Sequence, residues 1–357
     1  MLKVDVLPSQ PFRFPYSRTG FSPEDHRCSM LQAFSRNRSL KRRGGDYNKS
    51  MSNISRRTFG GISAATAMSF CNLGHGIEPF QRVKPRIRGL SLTSYSFKPH
   101  MRWWWGKQTD GKLDMLGFLD YCAELGLDGA ELTSYFFQLP VERAYLNQIK
   151  RRAHVLGLDI TAGAMGNNFG YAPGSDEAKR ELEYTRLWID HFADLGAPAV
   201  RIFASKAPPK GANVDEVLKY VIANTYEDLK YAEKHGVMLG MENHDFVKNI
   251  DRLLHVVKSI ESPWFGVIWD SANLDAVEDP YAELARIAPF AIVAQIKVMT
   301  RVRGEEQPAD FARLAKILNT GGYAGYLTFE YEEPEDPYKA IPGYVAELRR
   351  VIQSSGE

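Results

Sequence analysis

The feature that most constrains the fold is a regular alternation of short apolar segments with longer amphipathic ones, which starts near residue 86. Short apolar runs predict buried strands, and stretches with a helical apolar period predict helices. Eight strand segments are predicted: 88–97, 127–135, 158–165, 197–205, 237–244, 265–273, 291–298 and 326–332. Helices are predicted between them, for example over 115–126, 214–236 and 308–322.

Glycine follows several of these helical stretches, as the C-terminus of a helix favours. The positions are Gly126, Gly157, Gly236 and Gly321. Eight β/α units over about 260 residues predict a (β/α)8 TIM barrel. The alternative is a doubly wound open sheet, which usually carries a glycine-rich phosphate turn after its first strand. The segment LTSYSF (92–97) has no such turn, which favours the barrel.

The region before the barrel predicts two further parts. Residues 1–50 are rich in Arg, Ser, Pro and Gly without an apolar period, so we expect a disordered leader upstream of a native start at Met51. Residues 51–85 are predicted to be an export signal and linker, because Ser55-Arg56-Arg57-Thr58-Phe59 resembles the twin-arginine motif. This predicts export to the periplasm, with the cytoplasm as the alternative, and assigns residues 86–357 to the barrel.

The charge and the cysteine content of the chain limit the kinds of partner and bond that are expected. The net charge is +2, and the basic excess lies mainly at 36–45, outside the predicted barrel, which disfavours nucleic acid as a partner. The apolar stretch after the arginine pair is too short for stable membrane insertion. Cys28, Cys71 and Cys122 are far apart and form neither a zinc motif nor a disulfide pattern.

The later strands end in polar side chains. In a barrel of this kind the active site lies at the C-terminal ends of the strands, and alternate side chains face inward. The inward positions at the ends of strands five to eight are Glu242 and His244, Asp270, Gln295 and Lys297, and Glu330. Converging carboxylates repel one another unless a cation lies among them, and oxygen ligands suit Mn²⁺ or Mg²⁺. The alternative is that these acids pair with Arg and Lys on the barrel rim.

Five segments carry a resemblance to a known family. They are LGLDGAELT (125–133), MENHDF (241–246), IWDSANLD (268–275), QIKV (295–298) and GGYAGYLTFEYE (321–332). Their order and spacing over about residues 86–352 resemble the sugar phosphate isomerase/epimerase family. This xylose isomerase-like TIM-barrel group also contains ketose 3-epimerases and type IV endonucleases.

The resemblance implies one divalent metal ion, held by Glu, Asp, His and Glu from strands five to eight. By position the ligands are Glu242, Asp270, Gln295 and Glu330. Gln295 departs from the family pattern, which has histidine there. A glutamine carbonyl oxygen is a neutral donor that favours harder ions such as Mg²⁺ or Mn²⁺, or looser binding. The departure also leaves open a barrel that has lost its metal.

The resemblance also implies a reaction. Glu242 and Glu330 would be an acid/base pair that moves a proton beside a carbonyl through an enediolate, while the metal polarises the carbonyl. Lys297 is predicted to contact the developing oxyanion, with neutralisation of the acids as the alternative.

Four further residues are predicted to bind the sugar: His244, Asn273, Glu131 and Trp104. Trp103, Trp104 and Trp105 lie in the long first loop, and aromatic rings pack well on the C–H faces of sugars. The alternatives for this loop are docking on the barrel rim or a contact between subunits of a homo-oligomer.

Two other functions are compatible with the pattern. A repurposed sugar-binding barrel without catalysis agrees with the unusual Gln295. A type IV endonuclease-like phosphodiesterase would need several histidine ligands and a basic face. Of the eight histidines only His244 stands at a predicted strand end, which disfavours the nuclease.

Overall fold

The barrel is formed by residues on both sides of one short gap. A computed structural model describes residues 76–206 and 212–355. Within these residues, eight parallel strands close into a barrel in which each strand pairs with its neighbours in sequence and β1 pairs with β8. The predicted (β/α)8 architecture is therefore confirmed. The leader predicted for residues 1–50 and the twin-arginine motif lie outside the described residues.

Strands and helices alternate along the whole described chain. The strands are β1 (Gly89–Thr93), β2 (Gly129–Thr133), β3 (Asp159–Ala164), β4 (Ala199–Ile202), β5 (Met238–Glu242), β6 (Phe265–Asp270), β7 (Ala291–Ile296) and β8 (Tyr326–Phe329). The helices are α1 (Met115–Glu124), α2 (Arg143–Leu156), α3 (Asp176–Leu195), α4 (Val214–His235), α5 (Ile250–Ser259), α6 (Pro280–Ile287), α7 (Phe311–Thr320) and α8 (Pro337–Ser355). No helix in these two ranges is long and apolar enough to span a membrane.

All eight strands end earlier than the sequence predicts, and at some of them a polar side chain binds the backbone of the following loop. After β6, for example, Asp270 Oδ1 accepts hydrogen bonds from the amides of Ala272 and Asn273, each at 2.8 Å. Such a turn competes with continued strand pairing. His244, Asn273, Lys297 and Glu330 consequently lie in loops just beyond their strands.

All four predicted glycines lie just past the end of a helix. Gly126, Gly157 and Gly236 have φ between 63° and 73°, the left-handed conformation that glycine adopts without strain. At the end of α7, Gly321 follows the helix as predicted, but it is not the residue with the left-handed conformation. Gly321 has φ −73°, and Gly322 takes the left-handed conformation with φ 75°.

The barrel interior is apolar toward the strand starts and polar toward the strand ends. Ala162, Ala199, Ile268 and Val293 form a buried apolar cluster. Gly240 leaves room for it, since a Cβ there would lie 2.3 Å from Ile268 Cδ1. Buried polar side chains are therefore concentrated at the C-terminal end of the barrel.

The stretch before β1 is bound to the N-terminal end of the barrel. Ile77 N donates to Val257 O at 3.3 Å, and Phe80 N donates to Pro289 O at 3.2 Å. Arg82 donates to the carbonyl oxygen of Ala291, at the start of β7, at 2.8 Å. These bonds attach the described end of the predicted linker to the barrel.

Two hairpins rise from the C-terminal end. The first hairpin pairs Trp103–Trp104 with Lys107–Gln108 and lies in the long loop after β1. The second hairpin pairs Met299–Val302 with Glu305–Pro308 and follows β7. Since both follow a strand end, both lie on the face of the barrel where active sites are built.

Candidate active site

The four predicted metal ligands lie at one end of the barrel. Glu242 and Asp270 are the last residues of β5 and β6, Gln295 is the next to last of β7, and Glu330 directly follows β8. All four are buried. Parallel strands bring their C-terminal ends to one edge, so consecutive strands deliver these side chains to a shared space.

Glu242 is held on both carboxylate oxygens. Arg201 Nη1, from β4, lies 3.1 Å from Glu242 Oε2, and Asn273 Nδ2 donates to Oε1 at 2.7 Å. Burial raises the pKa of Glu242, but the positive charges of Arg201, His244 and Lys297 outweigh it and leave that pKa below its usual value. Glu242 is therefore held as a carboxylate.

Arg201 was not predicted as a site residue. It is only 5% exposed. Its Nη2 donates to Tyr135 Oη at 2.8 Å, and the Tyr135 ring stacks on Trp105 with 4.3 Å between centroids. The available signal was an arginine inside the apolar segment APAVRIFAS, since a buried strand accepts a charge only with a partner.

Asp270 is fixed by its neighbours. Asn243 Oδ1 accepts from the Asp270 amide at 2.8 Å, and Asn243 Nδ2 donates to the Asp270 carbonyl at 2.9 Å. Oδ2 of Asp270 lies 3.5 Å from Lys297 Nζ. Burial raises the pKa of Asp270, and the negative charge of Glu242 raises it further. The positive charge of Lys297 lowers this pKa, but the net result is a pKa above the usual value.

Gln295 faces Glu131 across the barrel. Gln295 Nε2 donates to Glu131 Oε1 at 2.9 Å, and both side chains are fully buried. Burial raises the pKa of Glu131 to about 7, against the lowering influence of Arg201 and of hydrogen bonds from Thr93 and Gln295. Glu131, predicted to bind substrate, therefore contacts a predicted metal ligand.

Lys297 and Glu330 complete the polar end. Lys297 Nζ donates to Glu332 Oε2 at 2.5 Å. Burial opposes the charge of Lys297, but Asp270 and the nearby glutamates hold its pKa well above the usual value. Burial raises the pKa of Glu330 well above its usual value, and the charges of Glu332, Asp270 and Glu242 reinforce the rise against Lys297.

One side-chain oxygen of each predicted metal ligand is buried without a hydrogen-bond partner in the described structure. These atoms are Glu242 Oε2, Asp270 Oδ2, Gln295 Oε1 and Glu330 Oε2. A buried oxygen left unpaired costs free energy, so each such atom calls for a partner. Glu242 Oε2 and Asp270 Oδ2 are in ion pairs with Arg201 and Lys297, so Gln295 Oε1 and Glu330 Oε2 are the two atoms that a cation would newly satisfy.

The balance of charges at the strand ends also favours a bound cation. Four buried carboxylates, from Glu131, Glu242, Asp270 and Glu330, face the two cationic side chains of Arg201 and Lys297. With all four acids ionised, the excess would be two negative charges, which one divalent cation would balance. The donor chemistry therefore fits a hard divalent ion.

The acidic side chains are oriented toward their ion-pair partners. Over residues 76–206 and 212–355, no group of three His, Cys, Asp or Glu side chains is placed to hold a metal ion. Glu242 is instead directed at Arg201 and Asp270 at Lys297. The side chains fit an ion by their donor type and charge, and would have to turn from these partners to ligate it.

The remaining predicted residues lie around the mouth. The His244 ring packs on Phe203 with 4.6 Å between centroids, and its Nδ1 lies 3.2 Å from Asp245 Oδ2. Asn273 points at Glu242, as described above. A cleft of about 420 Å³ is lined in part by Asn273, Lys297 and Glu330 and connects these side chains to solvent.

Trp104 lies on an aromatic wall beside this mouth. Its ring centroid is 5.6 Å from Tyr135 and 5.7 Å from Phe136. Phe137, which could have extended the wall, packs on Trp188 instead, at 5.3 Å. Trp104 is half-buried, whereas Trp105 is buried.

The chain forms a closed parallel barrel with polar side chains at the C-terminal ends of its strands, which is where (β/α)8 enzymes place their active sites. The sequence pattern of the xylose isomerase-like TIM barrel family matches residues 119–350, and the chain belongs to this family. No curated protein sequence matches the chain.

Solved structures share the fold at low identity. An L-ribulose 3-epimerase is 16% identical, with a TM-score of 0.57, over 75% of this chain and 94% of that protein. The IOLI protein, described with a bound zinc atom, is 13% identical, with a TM-score of 0.60, over 75% and 98%. A xylose isomerase-like TIM barrel protein from Mycobacterium smegmatis, described in complex with magnesium, is 16% identical, with a TM-score of 0.56, over 75% and 98%.

Proposed function

We propose that this protein is a divalent-metal-dependent sugar isomerase or epimerase. The observation that carries the proposal is the convergence of four buried oxygen-bearing side chains at the ends of β5 to β8, of which Gln295 Oε1 and Glu330 Oε2 have no hydrogen-bond partner among the described residues. Glu242, Asp270, Gln295 and Glu330 would hold one ion, with Mg²⁺ or Mn²⁺ favoured by their oxygen donors. When bound, the ion would polarise the sugar carbonyl and stabilise negative charge on its oxygen.

Glu242 would act as the base. Arg201 and Asn273 hold it as a carboxylate and fix its position, so it can accept a proton from the carbon beside the carbonyl. Glu330 would be the partner carboxyl group that returns a proton, since β5 and β8 approach the site from different sides. Lys297 would donate toward the oxygen of the enediolate, because Nζ already lies among the site acids.

Substrate binding would use the mouth of the barrel. Trp104 offers a half-buried aromatic face for the C–H face of a sugar. Asn273 and His244, which follow β6 and β5, offer polar contacts. Arg301 and Arg303, which follow β7, are each paired with a glutamate. Since their charges are already compensated, we favour a sugar without phosphate.

Export through the twin-arginine segment is part of this proposal. An exported enzyme would meet free sugars or oligosaccharides rather than sugar phosphates, in agreement with the paired arginines. Cell fractionation of the full chain, with Arg56 and Arg57 changed to Lys as control, tests it. Equal distribution of both forms would contradict export.

The reaction is tested by hydrogen exchange. The purified chain, supplied with Mn²⁺ or Mg²⁺, is incubated with a panel of ketoses and aldoses in deuterated water. We expect deuterium beside the carbonyl of at least one sugar, and loss of this exchange in Glu242→Gln and Glu330→Gln. Unchanged exchange in both variants would contradict the acid/base assignment.

The second candidate is a sugar-binding barrel without catalysis. It is favoured by Arg201 and Lys297, whose charges can neutralise the ionised acids without an ion while the other carboxyl groups take up protons. This barrel would bind sugars with no exchange and with no dependence on added metal. Sugar titration with and without EDTA separates the two candidates.

A further inference from the structure

We propose that Tyr135 is a positioning residue of this enzyme, which holds Arg201 against the base Glu242 and joins this pair to the first hairpin. The aromatic wall at Trp104 and the base would then be fixed relative to one another. The inference rests on the proposed function for the role of Glu242 as a base, and it requires no bound ion.

Tyr135 binds the end of the Arg201 guanidinium that Glu242 leaves free. Nη2 donates to Tyr135 Oη at 2.8 Å, while Nη1 lies 3.1 Å from Glu242 Oε2. The other described acceptor for Nη2 is the carbonyl oxygen of Met165, at 3.4 Å, which is long for a hydrogen bond. Nε is buried without a hydrogen-bond partner among the described residues. The tyrosine hydroxyl is therefore the closest polar group that orients Arg201 apart from Glu242 itself.

The ring of Tyr135 is itself held by close packing. It stacks on Trp105 with 4.3 Å between ring centroids and an angle of 24° between ring planes. Gly166 lies in the loop after β3, and a Cβ there would be 2.6 Å from Tyr135 Oη and 2.8 Å from Trp105 Cη2. A side chain at Gly166 would collide with both rings, so the hydroxyl is closely surrounded on this side.

The turn of the first hairpin is built on the same tyrosine. Trp105 has φ 52°, a left-handed conformation that residues other than glycine rarely adopt. Its amide donates to the Tyr135 carbonyl oxygen at 2.7 Å, and the preceding Trp104 has its ring centroid 5.6 Å from that of Tyr135. Such backbone strain persists where surrounding contacts hold it. Tyr135 thus binds the hairpin through its backbone and ring, and Arg201 through its hydroxyl.

The consequence is a fixed geometry between the proposed sugar contact and the base. When a sugar lies on Trp104, the carbon that loses its proton must come within reach of Glu242. A misplacement of about 1 Å can slow such a step by about 100-fold. Loss of the Tyr135 hydroxyl should therefore slow proton transfer without weakening the binding of the sugar.

The first test compares two buried tyrosines in the full chain. Tyr135→Phe keeps the ring and removes the hydroxyl. Tyr323→Phe is the matched control, because Tyr323 is 2% exposed and its hydroxyl donates at 2.8 Å to the carbonyl oxygen of Tyr326, at the start of β8. With the sugar that exchanges deuterium, Tyr135→Phe should lower kcat about 10- to 100-fold and change KM less than about twofold. Tyr323→Phe should change neither.

A second variant displaces the hydroxyl without removing it. Gly166→Ala would place its Cβ against Tyr135 Oη and leave every hydrogen-bonding side chain intact. It should lower kcat in the same way, with little change in KM. Melting curves identify a variant that fails to fold, and the other variant then carries the kinetic test.

The last test requires no catalysis. Tyr135 and Glu242 each bind Arg201, so their contributions to folding should be coupled. In a double-mutant cycle of Tyr135→Phe and Glu242→Gln, measured by urea denaturation, the joint effect on the folding equilibrium constant should differ from the product of the single effects by at least about threefold. The same cycle with Tyr323→Phe should be multiplicative within about twofold.

The outcomes separate this inference from the proposed function. Exchange with a wild-type kcat in both Tyr135→Phe and Gly166→Ala would overturn the inference and leave the proposed function standing. A multiplicative cycle for Tyr135 and Glu242 would also overturn it. Coupling in this cycle without exchange on any sugar would support the hold of Tyr135 on Arg201 and contradict the proposed reaction.

Discussion

Arg201 offers the most decisive test of how the site is held together. The change Arg201→Met keeps an unbranched apolar stem and removes the guanidinium that lies 3.1 Å from Glu242 Oε2. Arg201 is 5% exposed and Glu242 is 1% exposed, so water cannot replace the lost partner. Removing one member of such a buried pair costs about 3–5 kcal/mol of the free energy of unfolding.

That loss in the free energy of unfolding corresponds to a fall in the melting temperature. For a domain of this size class, about 1 kcal/mol corresponds to a shift of about 2–4 °C, so the melting temperature should fall by about 6–20 °C. The lost hydrogen bond to Tyr135 contributes about 1 kcal/mol of the total, which Tyr135→Phe measures separately. Thermal and urea denaturation of the wild type and both variants, in EDTA, provide the data.

A second change separates charge from packing. In Arg201→Met with Glu242→Gln, both charges of this ion pair are removed together, so most of the stability lost with the pair should return. A loss below about 1 kcal/mol in the single variant would refute the reasoning. So would a double variant that is no more stable than Arg201→Met alone.

Three further changes test the aromatic wall and the packing around the barrel. Trp105→Ala should lower the free energy of unfolding by about 3–5 kcal/mol, because the ring is 7% exposed and stacks on Tyr135; an unchanged urea midpoint would contradict this. Trp104→Ala should destabilise less and should raise the KM for the sugar more than it lowers kcat, and steady-state kinetics with an unaffected KM would argue against a sugar contact. Gly163→Ala should cost about 1–3 kcal/mol in thermal denaturation, since the new Cβ would lie 2.4 Å from the Phe192 ring, and wild-type stability would show that the ring can move aside.

The fold could be predicted from local pattern alone. Each barrel strand is a short apolar run followed by a helical stretch, and both signals lie within a few residues of one another. The number of units then excludes most other architectures. The strand ends were placed too late, as at His244 and Asn273, because side chains such as Asp270 bind the following backbone and end the pairing.

Part of the site was predictable for a geometric reason. Once strands five to eight are parallel neighbours, alternation places Glu242, Asp270 and Gln295 at one end of the barrel. No knowledge of their partners is needed for that step. Which residues neutralise and orient them is a different question, since it depends on contacts between distant parts of the chain.

The sequence by itself therefore determined the barrel and the identity of the acids at its mouth. Only the tertiary structure decided that Arg201 from β4 pairs with Glu242, and that Gln295 donates a hydrogen bond to Glu131 over a separation of 164 residues. The physical reason is that alternation fixes the face on which a side chain lies, but closure of the barrel fixes which side chains meet across its interior.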